Sequence, residues 1–138
     1  LKPICEDLEN KLHQKIRLIK KDIKELNNDS FFKDNEKIIM LENIRFYLEE
    51  EENNQQFAKK LASLADIYVN DAFSCSHRAH ASIHEITNFL PSYSGLQLDL
   101  EVNALKKITS EIKKPITCII GGSKISTKIN IIKISNFL

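Results

Sequence analysis

Residues 37–73 read KIIMLENIRFYLEEEENNQQFAKKLASLADIYVNDAF. The run Ile38, Ile39, Met40, Leu41 is short, continuous and rich in β-formers, the pattern of a parallel strand buried on both faces. Phe57, Leu61, Leu64 and Ala65 then recur in helical register over residues 53–65, and residues 66–70 form another short strand. The run Glu49, Glu50, Glu51, Glu52 between them reads as a solvated approach to that helix, where the macrodipole favours negative charge. Strand, helix and strand in this succession imply a parallel α/β sheet.

The same alternation continues outward. Leu1, Ile4, Leu8 and Leu12 with Pro3 near the start predict an amphipathic helix, followed by a strand at 15–19 and a polar loop at 27–35 that holds Phe31 and Phe32. Beyond residue 70 the sequence predicts a long polar loop and an irregular stretch at 83–94. A helix at 98–112 follows, carried by Leu98, Val102, Leu105, Ile108 and Ile112 and ended by Lys113, Lys114 and Pro115. A strand at 116–120, a turn at Gly121 and Gly122, and a helix marked by Ile125, Ile129, Ile132 and Leu138 close the sequence. This last strand-helix unit has no following strand to cover it, and the first residue is Leu1, so the pattern is expected to be the inside of a longer polypeptide.

Composition narrows the function classes. The 138 residues are 42% hydrophobic and 28% charged, with a net charge of +1, so no global field draws the chain to nucleic acid or to an anionic membrane. An anion must be held by local charges. The longest apolar runs, 38–41 and 116–120, are strand-sized, and no secretory pattern opens the sequence. Cys5, Cys75 and Cys118 are odd in number and lack CxxC spacing, which suggests neither a disulfide framework nor a zinc site and makes a reducing cytoplasm the expected location.

Two groups of cations stand out. In Gly121-Gly122-Ser123-Lys124, glycines between a strand and a helix let backbone amides approach an anion. Lys128, four residues on from Lys124, reaches the same neighbourhood. The spacing is not that of a Walker A loop, and a plain strand-to-helix turn with solvated lysines fits the bare pattern as well. Of 20 basic side chains only Arg17, Arg45 and Arg78 are arginine. Arg45 and Arg78 each follow a strand, and in open parallel sheets ligands collect beyond the carboxyl ends of the strands. A planar guanidinium fork suits carboxylate and phosphate; the plain alternatives are a salt bridge from Arg45 to Glu42 and an exposed loop charge at Arg78. His77, His80 and His84 have metal-like spacing, yet neither Cys75 nor Glu85 completes a tetrahedral set, so no metal site is expected; His80 fits a buried loop anchor and His77 a weak anion donor.

The strings LENIRF at 41–46, NDAF at 70–73, HRAHAS at 77–82, FLP at 89–91 and GGSKISTK at 121–128, with FAKKLASLADIYV at 57–69, resemble the phosphoglycerate kinase family in order and spacing. The resemblance covers nearly the whole sequence. It implies an α/β fold, a parallel sheet flanked by helices, forming part of a two-domain enzyme. Residues 1–96 would be the later part of an N-terminal substrate domain, 97–113 the interdomain helix, and 114–138 the first strand-helix unit of a C-terminal nucleotide domain. It further implies that Arg45 and Arg78, with His77 beside them, contact 3-phosphoglycerate or 1,3-bisphosphoglycerate. By the same resemblance Lys124 is aimed at the migrating phosphoryl group, and Lys128 with Gly121, Gly122 and Ser123 serves the phosphates of ATP or ADP. Mg2+ arrives with the nucleotide, and its protein ligands are not among these residues.

The implied chemistry is reversible phosphoryl transfer in glycolysis by a cytoplasmic enzyme that is a monomer when complete. Its acceptor carboxylate is already deprotonated, so positioning and charge neutralisation dominate. Family segments resembling RxDxNVP, SHxGRP and GGGDT are absent, Leu48 replaces a usual proline, and Gly95-Leu96-Gln97-Leu98 departs slightly from the hinge-side string. An isolated chain of this length is therefore expected to be inactive. The alternative of another class is a non-catalytic anion-binding or interaction module.

Overall fold

The structure is a computed structural model that describes residues 1–27, 31, 36–110, 117 and 119. Helix α1 spans Lys2–Leu12, with Pro3 in its first turn, and ends where His13 takes a left-handed φ of 51°. Its inner face meets the first strand directly: Cys5 is buried with Sγ 3.4 Å from the Ile16 carbonyl, and Glu9 accepts the Ile16 N–H at 2.7 Å. Strand β1, Ile16–Ile19, pairs in parallel with β2, Ile38–Leu41, in the register Ile16 to Ile38 and Ile19 to Leu41.

β2 is not buried on both faces as its sequence predicts; all four residues are half-buried. Among the described residues β1 alone flanks it, and alternation sends Ile39 and Leu41 toward the core. The acidic run is a second correction. It belongs to a separate helical turn, α2, Leu48–Glu51, and within it Glu50 is 1% exposed. Asn53, at a φ of 53°, turns the chain out of α2, and Asn54 caps the next helix by accepting the Phe57 N–H at 3.0 Å.

That helix, α3, Gln55–Ala62, supplies the middle of the core. Phe57, Ala58, Leu61 and Ala62 are buried together with Ile19, Ile23, Leu26, Leu64, Ala81 and Ile86, the three- and four-residue spacing placing one stripe inward. Strand β3, Tyr68–Asn70, pairs in parallel with β4, Ser92–Ser94. The sequence left 83–94 irregular, whereas a 3-10 turn at Glu85–Asn88 and β4 occupy it. All three residues of Ser-Tyr-Ser are exposed, so it carries no alternation; the pairing is held by backbone bonds such as Gly95 N–H to the Asn70 carbonyl at 2.7 Å.

Helix α4, Leu96–Ser110, starts two residues before the predicted one and buries none of its side chains. The Asp71 carboxyl accepts the Leu98 N–H at 2.8 Å, serving as a remote cap for its first turn. Gly95 is needed for that contact, because a Cβ there would lie 2.3 Å from Asp71 Cγ. The chain divides into two compact units, Leu1–Leu98 and Asp99–Leu138. The predicted strand at 116–120 and the helix after it, with Gly121, Gly122, Ser123, Lys124 and Lys128, lie outside the described residues, as does most of the loop at 27–35.

Candidate functional site

The two arginines singled out by their positions follow different strands, and the Arg45 side chain reaches Cys75 in the loop that carries Arg78. β2 ends at Leu41, and Asn43 then accepts the Arg45 N–H at 3.1 Å, folding a 3-10 turn over Ile44–Phe46 that holds Arg45 exposed. β3 ends at Asn70, whose side chain accepts the Ala72 N–H at 2.9 Å and donates to Ser76 Oγ at 3.3 Å. A second 3-10 turn, Phe73–Cys75, follows. Cys75 is the node: its Sγ lies 3.4 Å from an Arg45 guanidinium nitrogen, and its carbonyl accepts the Arg78 N–H at 3.0 Å.

Neither guanidinium has a carboxylate partner among the described residues. Glu42, the alternative partner for Arg45, does not pair with it; its carboxyl accepts the Asn43 N–H at 3.1 Å. Arg78 and His77 are exposed. Arg17 is different in kind: Glu36 pairs with it at 2.7 Å and raises its pKa further, so its charge is already neutralised. A cavity of about 580 Å³ beside it, lined by Glu9, Lys15, Arg17 and Glu36, lies at the amino end of β1, the opposite end from Arg45.

The histidines separate. His80 is 8% exposed, buried as its pattern suggests, with Nδ1 3.8 Å from Glu50 Oε1. His84 Nδ1 lies 3.3 Å from Asn53 Nδ2. Among the described residues no three His, Cys, Asp or Glu side chains group to hold a metal ion, and no helix is long and apolar enough to cross a membrane.

Sequence reasoning missed the residues that arrange this site. Glu50 accepts both the Ser82 N–H at 2.9 Å and the Ser82 hydroxyl at 2.6 Å. Nothing in a run of four glutamates marks one of them as buried. Asn43 and Asn70 carried a readable signal, since asparagine after a strand favours the side-chain-to-backbone turns seen here.

Parallel pairing, with the polar loops placed after the strands, puts this chain among the α/β proteins whose ligands are held at the carboxyl ends of strands. The family model described as phosphoglycerate kinase matches residues 1–135. A phosphoglycerate kinase of Wolbachia pipientis wMel is 66% identical over 95 residues, 69% of this chain and 24% of that protein. The chloroplastic phosphoglycerate kinase 1 of Arabidopsis thaliana is 55% identical over 97 residues, 70% of this chain and 20% of that protein. The solved phosphoglycerate kinase of Coxiella burnetii superposes with a TM-score of 0.77 at 36% identity, over 95% of this chain and 32% of that one. The chain belongs to the phosphoglycerate kinase family. It spans about a quarter of the length of the Wolbachia relative, 24%.

Proposed function

We propose that the polypeptide carrying this sequence is a phosphoglycerate kinase, transferring a phosphoryl group reversibly between 1,3-bisphosphoglycerate and ADP to give 3-phosphoglycerate and ATP. The observation that carries the reading is the meeting of Arg45 and the Arg78 loop on Cys75, with both guanidiniums free of carboxylate partners among the described residues. Two forks beyond parallel strands suit a ligand bearing both a carboxylate and a phosphate. Residues 1–96 then belong to the substrate domain, 97–113 to the interdomain helix, and 114–138 to the nucleotide domain. His77 adds a weaker donor beside Arg78.

The reaction asks little covalent chemistry of the protein. The phosphoglycerate carboxylate attacks the terminal phosphoryl group of ATP in one direction, and ADP attacks the acyl phosphate in the other. Neither nucleophile needs a base, so the chain's part is to bind, orient and neutralise. Arg45 and Arg78 hold the glycerate; Lys124 meets the migrating group, and Lys128 with Gly121, Gly122 and Ser123 meets the nucleotide phosphates. Mg2+ carried by ATP or ADP supplies further neutralisation of phosphate charge. The enzyme is cytoplasmic and monomeric in this reading.

Steady-state kinetics on the complete polypeptide test the assignment. Arg45→Ala or Arg78→Ala should raise the KM for 3-phosphoglycerate by about tenfold to a hundredfold, the worth of a charge-assisted hydrogen bond. Lys124→Ala should lower kcat far more than it alters either KM, because its partner charge develops in the transition state. An unchanged phosphoglycerate KM in both arginine variants removes the substrate site, and an unchanged kcat removes the role of Lys124.

A further inference from the structure

A carboxyl group that is 1% exposed in a four-residue helical turn is costly, and an apolar side chain would fill the same space without the desolvation. What Glu50 does with its burial is to grip one loop. Oε2 accepts the Ser82 N–H at 2.9 Å, Oε1 accepts the Ser82 hydroxyl at 2.6 Å, and the Glu50 backbone carbonyl accepts the Ala81 N–H at 2.9 Å. Three residues further on, Asn53 Oδ1 accepts the Glu85 N–H at 3.2 Å. The Nδ1 of His80, which has no hydrogen-bond partner among the described residues, faces the same Oε1 at 3.8 Å.

The grip lies between the two guanidinium-bearing segments. α2 begins at Leu48, three residues after Arg45, and the gripped Ser82 comes four residues after Arg78. Cys75 joins the same two segments on the other side of Arg78. The Arg78 loop is thus tied on both flanks to the segment that carries Arg45.

We infer that Glu50 is a positioning residue for phosphoglycerate binding: through Ser82 it fixes the Arg78 loop against the Arg45 turn, so that both forks meet one ligand. The inference rests on the assignment of Arg45 and Arg78 to that substrate. Glu50→Gln keeps the shape but removes the charge, so that the Ser82 hydroxyl must turn to accept from an amide instead of donating to a carboxylate. Ser82→Ala removes only the hydroxyl, and Ser82→Thr keeps it.

The test is steady-state kinetics on the complete polypeptide, with each KM measured at saturating second substrate and thermal melting recorded alongside. Glu50→Gln should raise the KM for 3-phosphoglycerate about tenfold, the order expected for one hydrogen bond to a charged group, while the KM for ATP stays within about twofold. Ser82→Ala should raise the same KM by a smaller factor, and Ser82→Thr should restore it. Should Glu50→Gln fail to fold, the Ser82 pair decides the matter. Both Michaelis constants rising together as the melting temperature falls would make Glu50 a merely structural residue and overturn the inference. So would an unchanged phosphoglycerate KM in Glu50→Gln and Ser82→Ala when Arg78→Ala raises it. If Arg45→Ala and Arg78→Ala themselves leave that KM unchanged, the substrate assignment fails, and the role of Glu50 falls with it.

Discussion

Two adjacent glutamates, Glu49 and Glu50, show how one step along a helical turn changes what a carboxyl group does. Glu49 faces outward and is paired with Lys24 at 2.5 Å, whose hydrogen bond holds the Glu49 carboxyl below the usual glutamate range. A carboxyl whose folded-state pKa is depressed adds stability above its unfolded value and loses it as pH falls through the folded one. Denaturant midpoints should therefore fall as pH drops below about 4.3, the ordinary glutamate value. In Lys24→Met this part of the slope should disappear, leaving the midpoint at neutral pH only slightly changed because exposed pairs are worth little. Identical slopes in parent and variant would remove the pair from the stability of the fold. Glu50, one residue on, faces inward and spends its oxygens on Ser82. Its neighbour Tyr68 has its hydroxyl pushed up in pKa by burial first and by Glu50 second.

At the scale of elements, the joint between β3, β4 and α4 is tightly constrained. Asp71 leaves β3 and reaches the first turn of α4, and Gly95 leaves β4 in the only space that lets it pass: a Cβ would stand 2.3 Å from Asp71 Cγ and 2.4 Å from its Cβ. Gly95→Ala should move Asp71, uncap α4 and cost about 1–3 kcal/mol, the range of small overpacked sites. Chemical denaturation of the complete polypeptide measures this, and a loss below the error of the method would show that Asp71 yields without effect. None of this could be read from the sequence, because Asp71 and Leu98 meet through a strand pairing that leaves no pattern in exposed Ser92, Tyr93 and Ser94. Elements with an apolar period were legible: α1, β1, β2, α3 and β3 all stand where Leu8, Ile16, Ile39, Leu61 and Tyr68 place them. Arg45 and Arg78 were legible as candidates through their position after strands. The Cys75 node and the Glu50 grip were not, since each joins residues about thirty apart, 30 for Arg45 and Cys75 and 32 for Glu50 and Ser82, by contacts that have no linear signature.

For the molecule as a whole, the balance of buried and open apolar surface sets the last expectation. The described strands form two parallel pairs, β1 with β2 and β3 with β4, and a two-stranded sheet is marginal unless something packs on its faces. The core behind α3 covers one side of this arrangement, while Phe46 is 76% exposed, Leu48 69%, Tyr93 60% and Leu96 85%. Apolar side chains this open attract whatever apolar surface is at hand. A polypeptide of these 138 residues alone should therefore melt broadly, below about 45 °C, where mesophilic domains begin to unfold, and should bind a hydrophobic dye before the transition. The same residues within a polypeptide as long as the Wolbachia relative should melt higher and bind less dye, because the added chain has those surfaces to cover. A sharp, dye-silent transition above about 60 °C for the 138 residues alone would show instead that the α3 core suffices to hold both strand pairs.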